Sequence, residues 1–352
     1  LTRNISFTFE PLDLTKTYPF GIAYGSTTDS KNVLVKLSFE GLTGLGEAAP
    51  VSYHGEKRET VMAVLSLIKE SEEQVFGNDP FAIEEITSRM DKVIAGNYAA
   101  KAAIETALHD LTGKLANLPT YKMFGLSGKA YPMTDFTIAI DELSVIEKKT
   151  KEAVAAGHKI LKVKLGTSYD QQIIELIRKV APNLPLRVDA NGAWTVKEAI
   201  IKAEFLAGHN VEFIEQPLPK HSHIEDFRFV KERSPLPIFA DESACRAVDV
   251  ARLAGSVDGV VIKLAKCGGL LEARRMIAVA RAHSLKVMFG MMVESSIGVT
   301  AAAQLQSLCD YLDLDGALLL KDDPYVGAVY GDGYLRLSEG PGLGVTARKI
   351  SR

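Results

Sequence analysis

Three apolar segments near the middle of the chain each run into one carboxylate: Asp189 in LRVDAN, Glu215 in VEFIEQP and Asp241 in IFADES, spaced 26 residues apart both times. Lysines bracket them, Lys162 and Lys164 in KILKVKLG upstream and Lys263 in VVIKLAKCGG downstream. A ligand set of carboxylates alone, without thiolate or imidazole, favours a hard cation such as Mg²⁺, which keeps positions open for water or substrate. A single acid at a strand end is more often a helix cap or an ion-pair partner than a ligand. Three at equal intervals on neighbouring strands shift the balance to a metal.

Lys162 and Lys164 lie two apart on a strand and therefore share a face. Neither the packed interior of a small parallel barrel nor its helix-facing side tolerates a free ammonium. The pair is therefore expected at the barrel mouth, where each charge disfavours the other and lowers one pKa from the ordinary ~10.4 toward the range of a general base. Lys263 falls on the sixth strand and the pair on the second, opposite one another in a ring of eight. A substrate held on the metal would have a lysine on each face, so a proton could leave one side and return on the other. Asp313 and Asp315 in YLDLDG end the eighth strand. Two carboxylates there suit a substrate ammonium, the alternative being a pair of loop acids before Gly316. Glu294 ends the seventh strand as either a lysine partner or a helix cap.

An interval of about 25 residues is one strand, one helix and two short loops. Apolar, β-rich runs at 133–140, 160–165, 186–189, 211–215, 237–241, 258–263, 286–291 and 311–315 give eight strands with helical stretches between most of them. Thr195-Val-Lys-Glu198 reads as a capping box, and Ile173, Ile174, Ile177 and Val180 form one helical face over 169–181. The expected class is α/β, a modified (β/α)8-type barrel over 118–324 with its catalytic residues at the C-terminal strand ends. Residues 1–117 read as an α+β capping domain completed by about 325–352. Its ISFTFEPLDL, KNVLVKLSFE and LTGLGEAAPV look like antiparallel strands, and Val61, Val64, Leu65 and Ile68 mark a helical face. Loops near 18–30 and 50–56 would lid the barrel mouth, bringing Tyr24 and Tyr53 over the site. GLTGLG at 41–46 lacks the GxGxxG order of a dinucleotide fingerprint and reads as a hairpin.

Composition sets the outer limits. Of 352 residues, 47% are hydrophobic and 24% charged, as in an ordinary globular enzyme. A net charge of −3 gives no reason to invoke nucleic acid or an acidic membrane surface. No run reads as a membrane helix or signal peptide, and Cys245, Cys267 and Cys309 are odd in number without metal-type spacing. A reduced cytoplasmic protein, assembled as a homo-oligomer, is expected.

Taken together, the KxK pair (Lys162, Lys164), the acids in VDANGAW, IEQP and ADES, and KLAKCGG resemble the enolase superfamily and, within it, the muconate-lactonizing-enzyme subgroup. The LDLD pair further resembles the dipeptide epimerases of that subgroup. The resemblance runs through the whole chain. It implies one Mg²⁺ per subunit on Asp189, Glu215 and Asp241, Lys164 and Lys263 as bases on opposite faces, and Lys162 on the substrate carboxylate. It also implies Asp313 and Asp315 on the α-ammonium of a dipeptide, and Thr137, Ser296 and Ile297 along the substrate site. Cycloisomerase or o-succinylbenzoate synthase activity would use the same metal and lysines, but those substrates carry no ammonium. A non-catalytic metal-binding barrel would leave three lysines unexplained. In the Ala-Glu epimerases an arginine of the first capping loop meets the glutamate side chain. Here Gly25 takes that place, no arginine occurs from Thr17 to Glu40, and Phe20, Ile22 and Tyr24 make the loop apolar. Ala-X dipeptides with small, apolar or neutral polar X are therefore expected, with Ala-Glu as the alternative if Lys31 or Arg58 reaches in.

Overall fold

The computed structural model describes residues 4–129 and 132–349. The chain opens with a three-stranded antiparallel sheet, β1 (Ser6–Ile22), β2 (Gly25–Phe39) and β3 (Leu42–Ala48). Phe7, Val33, Val35 and Leu37 alternate toward one face of it and are buried. On that face pack α1 (Arg58–Glu70), α2 (Glu72–Phe76), α3 (Ile83–Val93) and α4 (Tyr98–Leu115), followed by the short α5 (Thr120–Met123). Val61, Val64, Leu65 and Ile68 are the buried residues of α1, as their spacing requires. The GLTGLG segment forms the β2–β3 hairpin. Its Gly44 and Gly46 let β3 lie directly on α4, where an added Cβ would come within 2.0 Å of the Ala107 carbonyl oxygen or 1.9 Å of that of Ala103.

One expectation changes here. The segment 18–30 is not a loop but the tip of the long β1–β2 hairpin, which pairs from Ser6↔Ser38 to Ile22↔Gly25. Ala23 and Tyr24 make a two-residue turn, and Gly25, at φ 145°, opens β2 in a backbone conformation that glycine favours, so the strands run on to the tip. The register slips between Thr15 and Phe20, so the four residues Lys16 to Pro19 face only Thr28. The tip touches the barrel through a Gly21–Ile140 bridge.

The second layer is a ring of eight parallel strands in sequential order: β4 (Phe136–Ile138), β5 (Leu161–Lys164), β6 (Leu186–Asp189), β7 (Val211–Glu215), β8 (Ile238–Ala240), β9 (Gly259–Ile262), β10 (Lys286–Phe289) and β11 (Tyr311–Leu312). Helices run between them, among them Asp170–Val180, Val196–Ala207 and Leu270–Ala282. The Thr195–Glu198 capping box forms, with Thr195 N donating to Glu198 Oε2 at 2.8 Å. A parallel Thr134–Leu312 bridge joins the two edges, so the sheet curls into a barrel.

Several strands are shorter than the apolar runs that announce them. The chain turns away just before Asp241, Lys263 and Asp313, which leaves those side chains over the mouth. Arg187 is in register with Lys162 and so also points inward. It pairs with Asp135 at 2.8 Å and lies over the rings of Phe213 and Tyr311, which with Phe239, Val261 and Met288 fill the barrel beneath the mouth. The tail returns to the first layer, where Leu343 N donates to Asp110 Oδ1 of α4 at 2.8 Å and Gly342 N to the Leu118 carbonyl at 2.9 Å. Among the described residues no helix is long and apolar enough to cross a membrane.

Candidate active site

Asp189 and Glu215 are the last residues of β6 and β7, and Asp241 is the first beyond β8. All three are fully buried, and one carboxylate oxygen from each lies within 4.8 Å of the others. Burial works to raise the Asp189 and Asp241 pKa values, but the surrounding lysines reverse this and hold both below the usual carboxylate range. Glu215 goes the other way, pushed well above the usual range by burial and by Asp189. Lys162 Nζ stands 2.6 Å from Glu215 Oε2 as an ion pair, yet neither Glu215 oxygen receives a well-directed hydrogen bond. Two orphaned, buried carboxylate oxygens converging with two further acids fit a hard divalent cation, which needs oxygen donors and no hydrogen.

Lys162 is wholly buried within reach of three acids, 2.6 Å from Glu215, 2.7 Å from Asp313 and 3.5 Å from Asp189. Burial alone would lower its pKa, but Asp313, Glu215 and Asp189 outweigh that and hold it well above the ordinary lysine value. Repulsion between paired lysines, the expectation from spacing alone, is thus overridden at Lys162 by acids that arrive from other strands. Lys164 Nζ donates to Asp189 Oδ2 at 2.5 Å and Lys263 Nζ to Asp241 Oδ2 at 2.7 Å. Asp241 and Glu215 likewise raise Lys263 against the pull of burial.

Above the acids lies a cavity of about 480 Å³, whose walls include Lys164, Lys263, Thr137, Asp313 and Asp315 from the barrel and Tyr24 and Tyr53 from the cap. Lys164 and Lys263 face it from the second and sixth strands of the ring. Asp315 accepts from Thr137 N at 2.6 Å, and burial together with neighbouring Asp313 pushes its carboxyl up to about 7. The Tyr24 hydroxyl donates to the Asn191 carbonyl, whereas the buried Tyr53 hydroxyl has no hydrogen-bond partner among the described residues. Ser296 and Ile297 are not among the residues lining this cavity. Both sit at the start of the Ser296–Ala303 helix, where Ser296 Oγ donates to Asp323 at 2.6 Å and Ile297 N to Ser295 Oγ at 3.2 Å. Glu294 caps no helix, since Ser295 does so, and burial with Glu47 nearby raises its carboxyl well above the usual range.

Three residues of the site escaped the sequence reading. Lys266 is fully buried and donates to Asp241 Oδ1, to the Asp241 carbonyl at 2.5 Å and to the Val261 carbonyl at 3.1 Å. The KLAK spacing was its only signal. Glu242 follows Asp241, faces the cavity, and is pushed up to about 7 by burial and by Asp241. Lys16 enters the same cavity from the slipped segment of β1.

Two family models match the chain: the mandelate racemase / muconate lactonizing enzyme N-terminal domain over residues 6–125 and the enolase C-terminal domain-like model over 145–350. A relative described as L-Ala-D/L-Glu epimerase, from Bacteroides thetaiotaomicron, is 42% identical over 97% of this chain and 88% of its own. An L-Ala-D/L-amino acid epimerase from Pedosphaera parvula is 37% identical over 97% of this chain and 99% of its own. A crystal structure of the dipeptide epimerase from Enterococcus faecalis, complexed with Mg and the dipeptide L-Leu-L-Tyr, superposes with a TM-score of 0.90 at 34% identity, covering 98% of this chain and 99% of that one. Acids and lysines at successive barrel strand ends, beneath a cap of matching ancestry, place this chain in the mandelate racemase / muconate lactonizing enzyme family of the enolase superfamily.

Proposed function

We propose that this protein is a Mg²⁺-dependent dipeptide epimerase that inverts the α-carbon of the C-terminal residue by moving a proton between two lysines. The observation that carries the reading is that Lys164 and Lys263 line one cavity from opposite strands, above a triad of buried acids. Asp189, Glu215 and Asp241 would hold the Mg²⁺, which would supply concentrated positive charge beside the substrate carboxylate as the α-carbon loses its proton. A lysine base beside Mg²⁺ is an established enolase-superfamily pattern.

The chain's own groups then divide the work. One of Lys164 and Lys263 takes the α-proton and the other returns a proton to the opposite face. Lys162, already among the acids, offers its ammonium to the substrate carboxylate. Asp313 and Asp315 receive the α-ammonium, and that pair favours a dipeptide over the ammonium-free substrates of cycloisomerases and o-succinylbenzoate synthases. Thr137 presents Asp315, while Tyr24 and Tyr53 close the cap side. Ser296 and Ile297 serve one step back from the cavity, through the segment that Asp323 anchors. Phe20, Ile22, Met292 and Val293 in the cavity wall suit Ala-X dipeptides with small, apolar or neutral polar X.

In D₂O with Mg²⁺, an Ala-X library should yield both epimers carrying one deuterium at the α-carbon of X, read by mass spectrometry. Absence of exchange in every dipeptide would sink the reading. We further propose a capping unit of 1–117 completed by 325–352 over a barrel of 118–324, a homo-oligomeric assembly, which light scattering would check, and a cytoplasmic location.

A further inference from the structure

The cap wall of the cavity carries four cations, Lys16, Lys31, Lys57 and Arg58, and of these Lys16 alone is buried. Lys16 is 8% exposed, and its Nζ donates to Thr27 Oγ1 at 2.5 Å, to the Asp29 carbonyl at 3.1 Å and to the Thr27 carbonyl at 3.4 Å. These acceptors are all neutral. Among the described residues no carboxylate comes within 4.0 Å of it, and the Asp29 side chain is instead turned to Thr28 Oγ1 at 3.0 Å. Burial pulls the Lys16 pKa down to about 8, with Asp29 opposing. Lys31 and Lys57 are exposed to solvent, and Arg58 is already committed, because its Nη2 donates to Asp13 Oδ1 at 2.7 Å and to the Leu12 carbonyl at 3.0 Å.

The placement of Lys16 follows from the strand. Where the β1–β2 register slips, regular alternation stops, and the backbone at Lys16 is instead bridged to Leu320 just beyond the barrel's last strand. The ammonium thereby lies over the Phe20 ring at 5.8 Å and shares the cavity wall with Ile22 and Thr27, the wall to which the proposed function assigns a dipeptide's second side chain. A buried charge held only by neutral acceptors is costly, and an incoming anion offsets that cost.

We propose that Lys16 is a specificity-determining residue that receives the side-chain carboxylate of an acidic second residue, adding Ala-Glu-type dipeptides to the apolar and neutral range. This rests on the dipeptide reading above. Mg²⁺-loaded parent protein and Lys16→Met should be compared on L-Ala-L-Glu, L-Ala-L-Gln and L-Ala-L-Met. In the parent, Ala-Glu should lead Ala-Gln. In Lys16→Met, kcat/KM for Ala-Glu should fall by about 10- to 100-fold, the range of a lost charge-assisted bond. Ala-Gln and Ala-Met should stay within about threefold in that variant, and Lys16→Arg should restore most of the Ala-Glu rate. Ala-Gln equal to or ahead of Ala-Glu in the parent overturns the assignment whether or not the variant folds, and so does an equal loss on all three dipeptides. Calorimetric titration of the parent and Lys16→Met with the same dipeptides separates the two readings. Lys16-dependent binding of Ala-Glu without any epimerisation keeps this inference and rejects the epimerase. Epimerisation without Lys16-dependent binding does the reverse.

Discussion

Replacing Lys263 by Met removes one ammonium while keeping most of the side-chain volume, and it tests the two-sided proton transfer directly. Lys263 is 5% exposed and its Nζ lies 2.7 Å from Asp241 Oδ2. Deleting one member of a buried pair generally costs about 3–5 kcal/mol because the other charge is stranded. Here Asp241 retains Lys266, so the stability loss should be nearer about 1–2 kcal/mol, the scale of a single hydrogen bond, and the variant should fold. Catalysis should suffer more, since a positioned general base contributes about 10²–10⁴-fold, or roughly 3–5.5 kcal/mol. Epimerisation should therefore fall by at least 10²-fold in both directions. Each epimer, incubated separately in D₂O with Mg²⁺ and followed by proton NMR, supplies the discriminating result. One epimer should keep exchanging its α-proton through Lys164 without inversion, and the other should not exchange. Lys164→Met should give the mirror image. If both variants lose exchange on both epimers, the division into one base per face is wrong.

Chelation with EDTA should abolish turnover and Mg²⁺ should restore it, while Asp189→Asn, Glu215→Gln and Asp241→Asn should each lose both activity and calorimetric Mg²⁺ binding; full activity after chelation would contradict the metal. Asp313→Asn should lower kcat/KM by about 10- to 150-fold, the equivalent of one charge-assisted bond, and N-acetylated dipeptides should be poor substrates of the parent; equal rates with and without the acetyl group would move the function to ammonium-free chemistry. Asp315, raised to about 7 by burial and by Asp313, must be ionised to hold an ammonium. Raising the pH through about 7 should therefore raise kcat/KM, with a fall above about 8 as the dipeptide amine loses its proton. The acid limb should flatten in Asp315→Asn, and an unchanged limb would remove Asp315 from that role.

The barrel and its chemistry were legible because both are written in local periods. A strand-plus-helix interval sets the spacing of Asp189, Glu215 and Asp241, and a period of two puts Lys162 and Lys164 on one face. What was not legible depends on contacts between distant segments. The elevated pKa of Lys162 comes from Asp313, 151 residues away in the chain. Lys266 lies unassigned within the KLAKCGG motif, and only the fold shows it tied to Asp241. The segment 18–30 reads as a loop because it is rich in Gly, Ser, Thr and Tyr, yet pairing with a neighbouring strand needs backbone, not composition. Lys16 was overlooked for the same reason, since the register slip that brings it into the cavity leaves no mark in the sequence pattern.

The filled floor of the barrel has a consequence for evolution of the family. With Arg187, Asp135 and a stack of aromatic and aliphatic side chains closing the bottom, nothing enters or leaves from below. All molecular traffic must pass the cap side, where the β1–β2 tip and the segment 49–59 wall the cavity. Reaction and admission are therefore carried by different layers of one polypeptide. Apart from Tyr24, which donates to the Asn191 carbonyl beside Asp189, the hairpin's cavity-facing side chains can change without touching the acids and lysines, so new substrates can be acquired by editing the doorway while the chemistry behind it stays the same.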